Sequence, residues 1–150
     1  MPVCLNGPAP QRLRGIGERL DPFVGLPGGL GMVLVNPRVA VSTPEVFKAL
    51  PCKENPPLDE VSGGFATIPG FVAWLKRQRN DLEDPAIGRF PAIGEVLEAL
   101  RADECLLARM SGSGATCFGL YDGQDAARGA AQRLRKAHPG WWIRDTVVIN

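Results

Sequence analysis

The chain has a single histidine, His138, and only four cysteines, Cys4, Cys52, Cys105 and Cys117, which stand far apart. No C-x-x-C pair occurs and His138 has no ligand-spaced companion, so no metal site is expected. Cys105 and Cys117 lie in apolar runs, Cys-Leu-Leu-Ala and Thr-Cys-Phe-Gly, where a reduced thiol behaves as a small hydrophobe; a cytoplasmic protein is the expectation. Charge of one sign is also lacking. Seventeen Lys and Arg against sixteen Asp and Glu leave +1, which provides no field for holding nucleic acid or an anionic membrane. No basic segment followed by an apolar stretch opens the chain, and no apolar run approaches the roughly 18 residues that span a bilayer, so no membrane segment is expected.

What is present is a chain of 150 residues, 45% hydrophobic, long enough to bury one core. Arg12-Leu-Arg14 and Glu18-Arg-Leu20 flank Gly-Ile-Gly like the arms of a hairpin. Met32-Val-Leu-Val-Asn36, stopped by Pro37, reads as a buried strand. Ser42-Thr-Pro-Glu45 starts a short helix to about Leu50. Cys52 to Thr67 is a polar, proline-bearing loop expected to be mobile. Phe71, Trp74 and Leu75 recur at helical spacing over 69–79, and Ile93, Val96, Leu97 and Leu100 do so over 92–102. Two apolar runs, Cys105–Met110 and Thr116–Tyr121, flank a glycine-rich connection as hairpin strands do; a helix over 125–137 and a strand over 141–149 follow. From Met32 onward this βαββαβ order predicts an α+β, ferredoxin-like antiparallel sheet with helices packed on one face.

The sharpest motif is Ser111-Gly112-Ser113-Gly114-Ala115. Small residues let consecutive amides turn into one concavity that holds phosphate oxygens, while the plainer reading is a tight turn whose glycines supply positive φ. It is no Walker A loop, since no Lys-Ser/Thr follows Gly114, and no Rossmann fingerprint, since a strand follows it. Thr43 and Phe47 stand four apart on the short helix, so that hydroxyl and ring can bond and stack on one ligand; an N-cap threonine and a core phenylalanine are the alternative. Asn80-Asp-Leu-Glu83 could supply polar ligands, the plainer reading being a helix end followed by a solvated turn, and His138 reads as a helix-end residue. Leu26-Pro-Gly-Gly-Leu-Gly31 leads into a strand instead of a helix N-terminus, which argues against a phosphate loop there.

Taken in order, Pro2-Val-Cys4, Arg14-Gly-Ile-Gly-Glu18, Val33-Leu-Val-Asn-Pro37, Val41-Ser-Thr-Pro-Glu-Val-Phe47, Asn80-Asp-Leu-Glu83 and Ala108 to Gly119 resemble the bacterial 4-diphosphocytidyl-2-C-methyl-D-erythritol kinases of the GHMP superfamily, in their C-terminal part. The resemblance implies transfer of phosphate from ATP, with Mg2+, to the 2-hydroxyl of a small-molecule cytidine substrate in non-mevalonate isoprenoid synthesis. It also implies an N-terminal kinase domain as the missing partner. Residues 1–25 then correspond to strands of that domain and 26–150 to the GHMP C-terminal domain. The family's junction reads Ala-Asp-Val-Pro, whereas this chain begins Met1-Pro2, so the catalytic aspartate is expected just upstream, along with the lysine and the ATP loop. No residue here is then catalytic, the isolated chain should be inactive, and no cofactor is expected to stay bound to it. By resemblance Phe47 stacks on cytosine, Thr43 bonds the ligand, and Ser111–Ala115 border the phosphates. Arg38 stands where the family has glycine, which leaves the shape of that turn open. The rival reading is a stand-alone ferredoxin-like module that binds cytidine or phosphate without chemistry.

Overall fold

The computed structural model describes residues 9–14, 19–23, 25–61 and 63–149. Met1, the Pro2-Val-Cys4 block and residues Gly15–Glu18, expected between the hairpin arms, lie outside the described residues. The two hairpin arms are seen as β1 (Gln11–Arg14) and β2 (Arg19–Pro22), paired antiparallel in a sheet of their own.

The main sheet has four antiparallel strands: β3 (Gly31–Asn36), β4 (Leu107–Met110), β5 (Cys117–Tyr121) and β6 (Trp142–Val147), in the order β4-β5-β3-β6. That order is the one expected of a βαββαβ ferredoxin-like chain. Strand alternation divides the side chains between two faces. Val33, Val35, Cys117, Tyr121, Ala108 and Met110 enter one core; Met32, Phe118, Leu120 and Leu107 enter the other.

Among the described residues five helices accompany the sheet: α1 (Thr43–Lys48), α2 (Ile68–Arg77), α3 (Glu83–Arg89), α4 (Pro91–Ala102) and α5 (Gln124–Ala137). The first core takes Ile93, Val96, Leu97 and Leu100 from α4, Ala127, Ala130, Ala131 and Leu134 from α5, Ala86 from α3 and Val46 from α1. The expectation that all helices share one face is corrected by α2. Its Phe71, Val72 and Trp74 pack with Leu30, Leu107 and Leu120 on the opposite face, where Phe65 and Phe23 complete an aromatic cluster with ring centroids 5.2–6.3 Å apart.

Residues 80–83 are likewise not the end of a helix. α2 stops at Arg77, and Asn80 Oδ1 accepts the Leu82 amide at 3.1 Å, turning the chain into α3 with Glu83 and Asp84 in its first turn. Pro91 then holds Phe90 extended (φ −131°, ψ 80°), which separates α3 from α4. The loop before α2 is tied down as well: Arg12 donates to the carbonyls of Leu58 (2.7 Å) and Asp59 (3.3 Å), and Arg14 to Glu60 (2.8 Å). His138 ends α5 and stacks on Trp141, with centroids 3.7 Å apart.

Burial has a measurable consequence for the thiols. Cys117 is fully buried, and desolvation, reinforced by nearby Glu83, pushes its thiol up to about 12. Burial raises the Cys105 thiol and the Tyr121 phenol too. Below the ordinary thiol range both folded and unfolded chains keep the proton. Above it only the unfolded chain ionises at Cys117, so stability is lost as pH rises toward the folded value, at up to about 1.4 kcal/mol per pH unit. Urea titrations from pH 8 to 10 should show this decline, and Cys117→Ala should flatten it. Exposed Cys52 should be alkylated in the native protein at pH 8, and Cys117 only after unfolding, as read by peptide mass mapping.

Candidate functional site

The turn between β4 and β5 is closed by its own backbone. Ser111 N–H donates to the Thr116 carbonyl (2.8 Å) and Gly114 N–H to the Ser111 carbonyl (3.1 Å). Gly112 (φ 58°) and Gly114 (φ 91°) both adopt the left-handed conformation that glycine takes without strain. Gly114 also lies close to the core: a Cβ there would stand 3.0 Å from Met110 Sδ and 3.1 Å from Ile93 Cδ1. The amides of Gly112, Ser113 and Ala115 donate to nothing among the described residues; Gly112 is exposed, Ser113 half-buried and Ala115 buried.

Two other segments converge on this turn. α1 is anchored by fully buried Val46, and from its first residue Thr43 Oγ1 meets Ser113 Oγ at 2.8 Å. At the end of β3, Asn36 Nδ2 donates to Thr116 Oγ1 (3.0 Å) while its Oδ1 accepts the Arg38 amide (2.7 Å). Arg38 itself takes φ 60°, so the turn keeps a glycine-like backbone although its residue is arginine. Phe47, one helical turn beyond Thr43, is 49% exposed and belongs to neither core. The core-phenylalanine alternative therefore fails, and so does the N-cap alternative for Thr43. Ser42 is the N-cap residue, and the Thr43 hydroxyl bonds Ser113.

Thus Thr43, Ser111, Gly112, Ser113, Gly114 and Ala115 are brought together, with Phe47 standing out beside them. Two participants were not legible as such. Asn80 Nδ2 donates to the carbonyls of Met110 (3.1 Å) and Gly112 (2.8 Å), and Glu83 Oε2 accepts the Met110 amide (2.8 Å). The sequence marks them through the Asn80-Asp-Leu-Glu83 block and its Asn-x-x-Glu spacing, neither of which says anything of residue 110. Among the described residues no group of three or more His, Cys, Asp or Glu is placed to hold a metal ion, and no helix is long and apolar enough to cross a membrane. The arrangement offers neutral N–H dipoles and hydroxyls, a set suited to anionic oxygen, beside an open aromatic ring.

Residues 71–140 match the family described as GHMP kinases C terminal. The chain is 55% identical over 99% of its length to a 4-diphosphocytidyl-2-C-methyl-D-erythritol kinase of Ruegeria pomeroyi, and 53% identical over 99% to that of Dinoroseobacter shibae. It covers 53% and 51% of those proteins, so it spans about half the length of the curated relatives it matches. A crystal structure of a 4-(cytidine 5'-diphospho)-2C-methyl-D-erythritol kinase superposes with a TM-score of 0.67 at 31% identity, covering 93% of this chain and 50% of that one. A homoserine kinase from Cytophaga hutchinsonii, at 20% identity and a TM-score of 0.59 over 87% of this chain and 45% of that one, shares the fold.

Proposed function

Since the chain belongs with the 4-diphosphocytidyl-2-C-methyl-D-erythritol kinases of the GHMP family, matching their C-terminal portion, we propose that it forms one wall of the cleft in which a cytoplasmic, ATP-dependent kinase phosphorylates the 2-hydroxyl of 4-diphosphocytidyl-2-C-methyl-D-erythritol. The observation that carries this reading is the Thr43–Ser113 contact, which joins the helix bearing Phe47 to the turn with free amides. In this reading residues 26–150 are the C-terminal domain, and residues 1–25 are strands of a preceding domain that supplies the ATP loop and the acid.

The reaction moves the γ-phosphoryl group from ATP to the substrate hydroxyl, with the hydroxyl proton leaving to a base and ADP departing. This chain's part is binding and electrostatics. Phe47 stacks on the cytosine, Thr43 bonds the ligand, and the Gly112, Ser113 and Ala115 amides face the charge that builds on phosphate oxygens. Mg2+, which neutralises phosphate charge when bound, finds no ligand set among the described residues of this chain, and no step here runs through it.

The test joins the 150 residues to the N-terminal half of the Ruegeria pomeroyi relative and measures ATP-dependent phosphorylation of the cytidine substrate. Transfer supports the kinase reading. Micromolar binding of CDP by the 150 residues alone, with no transfer by the hybrid, supports a binding module instead. In an active hybrid, Phe47→Ala should raise KM for the cytidine substrate about 10- to 100-fold, since stacking of one base on a ring contributes roughly 1–3 kcal/mol. Phe47→Tyr should keep KM near the parent value, and an unchanged KM in Phe47→Ala would remove the stacking role.

A further inference from the structure

β4 is an edge strand, and its free side is closed beside the glycine turn by two side chains instead of another strand. The Met110 N–H goes to Glu83 Oε2, and the Met110 carbonyl goes to Asn80 Nδ2. The same Asn80 nitrogen reaches past the end of the strand to the Gly112 carbonyl at 2.8 Å, while Asn80 Oδ1 accepts the Leu82 amide. Both ends of the amide are thereby satisfied in one orientation only, because Oδ1 can only accept, from the Leu82 N–H, and Nδ2 can only donate, to the two carbonyls.

Peptide planarity turns these contacts into a statement about the site. In a trans peptide the C=O and the following N–H point in opposite directions. Holding the Met110 carbonyl toward Asn80 therefore aims the Ser111 N–H the other way, and it is found on the Thr116 carbonyl. Holding the Gly112 carbonyl toward Asn80 by the same logic aims the Ser113 N–H away from Asn80, to the side where no protein group takes it. Gly112 has no side chain and sits at φ 58° with open space around it, and the Gly114 N–H to Ser111 carbonyl bond closes the turn around that peptide without bonding either of its own polar groups. We infer that Asn80, anchored by the turn into α3 and seconded by Glu83, is a positioning residue that orients the Gly112–Ser113 peptide so that its N–H faces the transferring phosphate. This rests on the kinase reading of the site; neither side chain touches the reacting atoms in it.

The decisive variant is N80D, which keeps the shape and the acceptor for Leu82 but sets a carboxylate oxygen against two carbonyls. In the hybrid kinase, N80D should lower kcat about 30- to 100-fold, because a misplaced catalytic dipole loses most of its effect. KM for the cytidine substrate should stay within threefold of the parent, since the cytosine is held by Phe47. Glu83→Gln retains an acceptor for Met110 and should keep kcat within threefold, whereas Glu83→Ala should lower it about tenfold. In the 150-residue chain, the N–H residual dipolar coupling of Ser113 should change in N80D while those of 117–121 do not. An unchanged Ser113 coupling, or a folded N80D hybrid with kcat within threefold of the parent, overturns the inference. Should N80D fail to fold, equal kcat in Glu83→Ala and Glu83→Gln overturns it. Should the parent hybrid transfer no phosphate, the kinase reading falls and the coupling alone decides whether Asn80 sets the peptide plane.

Discussion

Joined to the N-terminal half of the Ruegeria pomeroyi relative, the chain is expected to phosphorylate the cytidine substrate at least about 10⁴-fold faster than the 150 residues do alone. Phosphoryl transfer depends on positioning and charge stabilisation, and well-oriented reactants gain effective molarities of about 10⁵ M and above. A half-cleft with three free amides can neutralise some charge but cannot hold ATP in line with a hydroxyl. The relative is 55% identical over 99% of this chain, so the surface that its N-terminal half meets should be largely preserved. A discontinuous assay with labelled ATP reads the difference. Comparable turnover by the 150 residues alone would mean that the catalytic groups lie within them.

Gly31→Val is expected to unfold the domain, with a loss of at least about 3 kcal/mol in urea titration. Gly31 opens the central strand β3, paired with Tyr121 on one side and Val147 on the other. A Cβ at this position would stand 2.1 Å from the Gly123 carbonyl oxygen, 2.8 Å from its carbon and 2.9 Å from Ala127 Cβ. Two of those neighbours are backbone, at the entry to α5, and a strand flanked on both sides cannot retreat. Gly88, in α3, has open space around its Cβ direction, so Gly88→Ala should instead stabilise by about 0.5–1 kcal/mol through helix propensity. Equal effects of the two substitutions would contradict the packing described at β3.

The strands and most helices were legible because their patterns are local. Val33 and Val35 alternate with Met32 and Leu34, and Ile93, Val96, Leu97 and Leu100 make one stripe. α3 escaped notice because seven residues containing Pro85 and Gly88 carry no stripe, and its start depends on a side-chain contact at Asn80. The side of the sheet that α2 covers was not readable either. Periodicity gives a buried face, whereas Leu107 and Leu120, far along the chain, decide what covers it. At the site, residue type alone left Phe47 open between core and ligand: the inward position of α1 is Val46, which leaves the larger ring outside. The glycine turn was plain from composition, but its amide directions depend on Asn80, thirty residues earlier, whose polar block looks merely solvated. Arg38 shows the opposite case, a turn that keeps positive φ although its residue argues against it.

All of this converges on the Thr43–Ser113 contact that joins α1 to the turn. The most direct measurement is an amide NMR titration of the labelled hybrid with the cytidine substrate and a non-hydrolysable ATP analogue. The largest shifts should fall on Gly112, Ser113 and Ala115, with ring-current changes around Phe47. Shifts confined to α2 and the opposite face of the sheet, with the turn silent, would contradict the account.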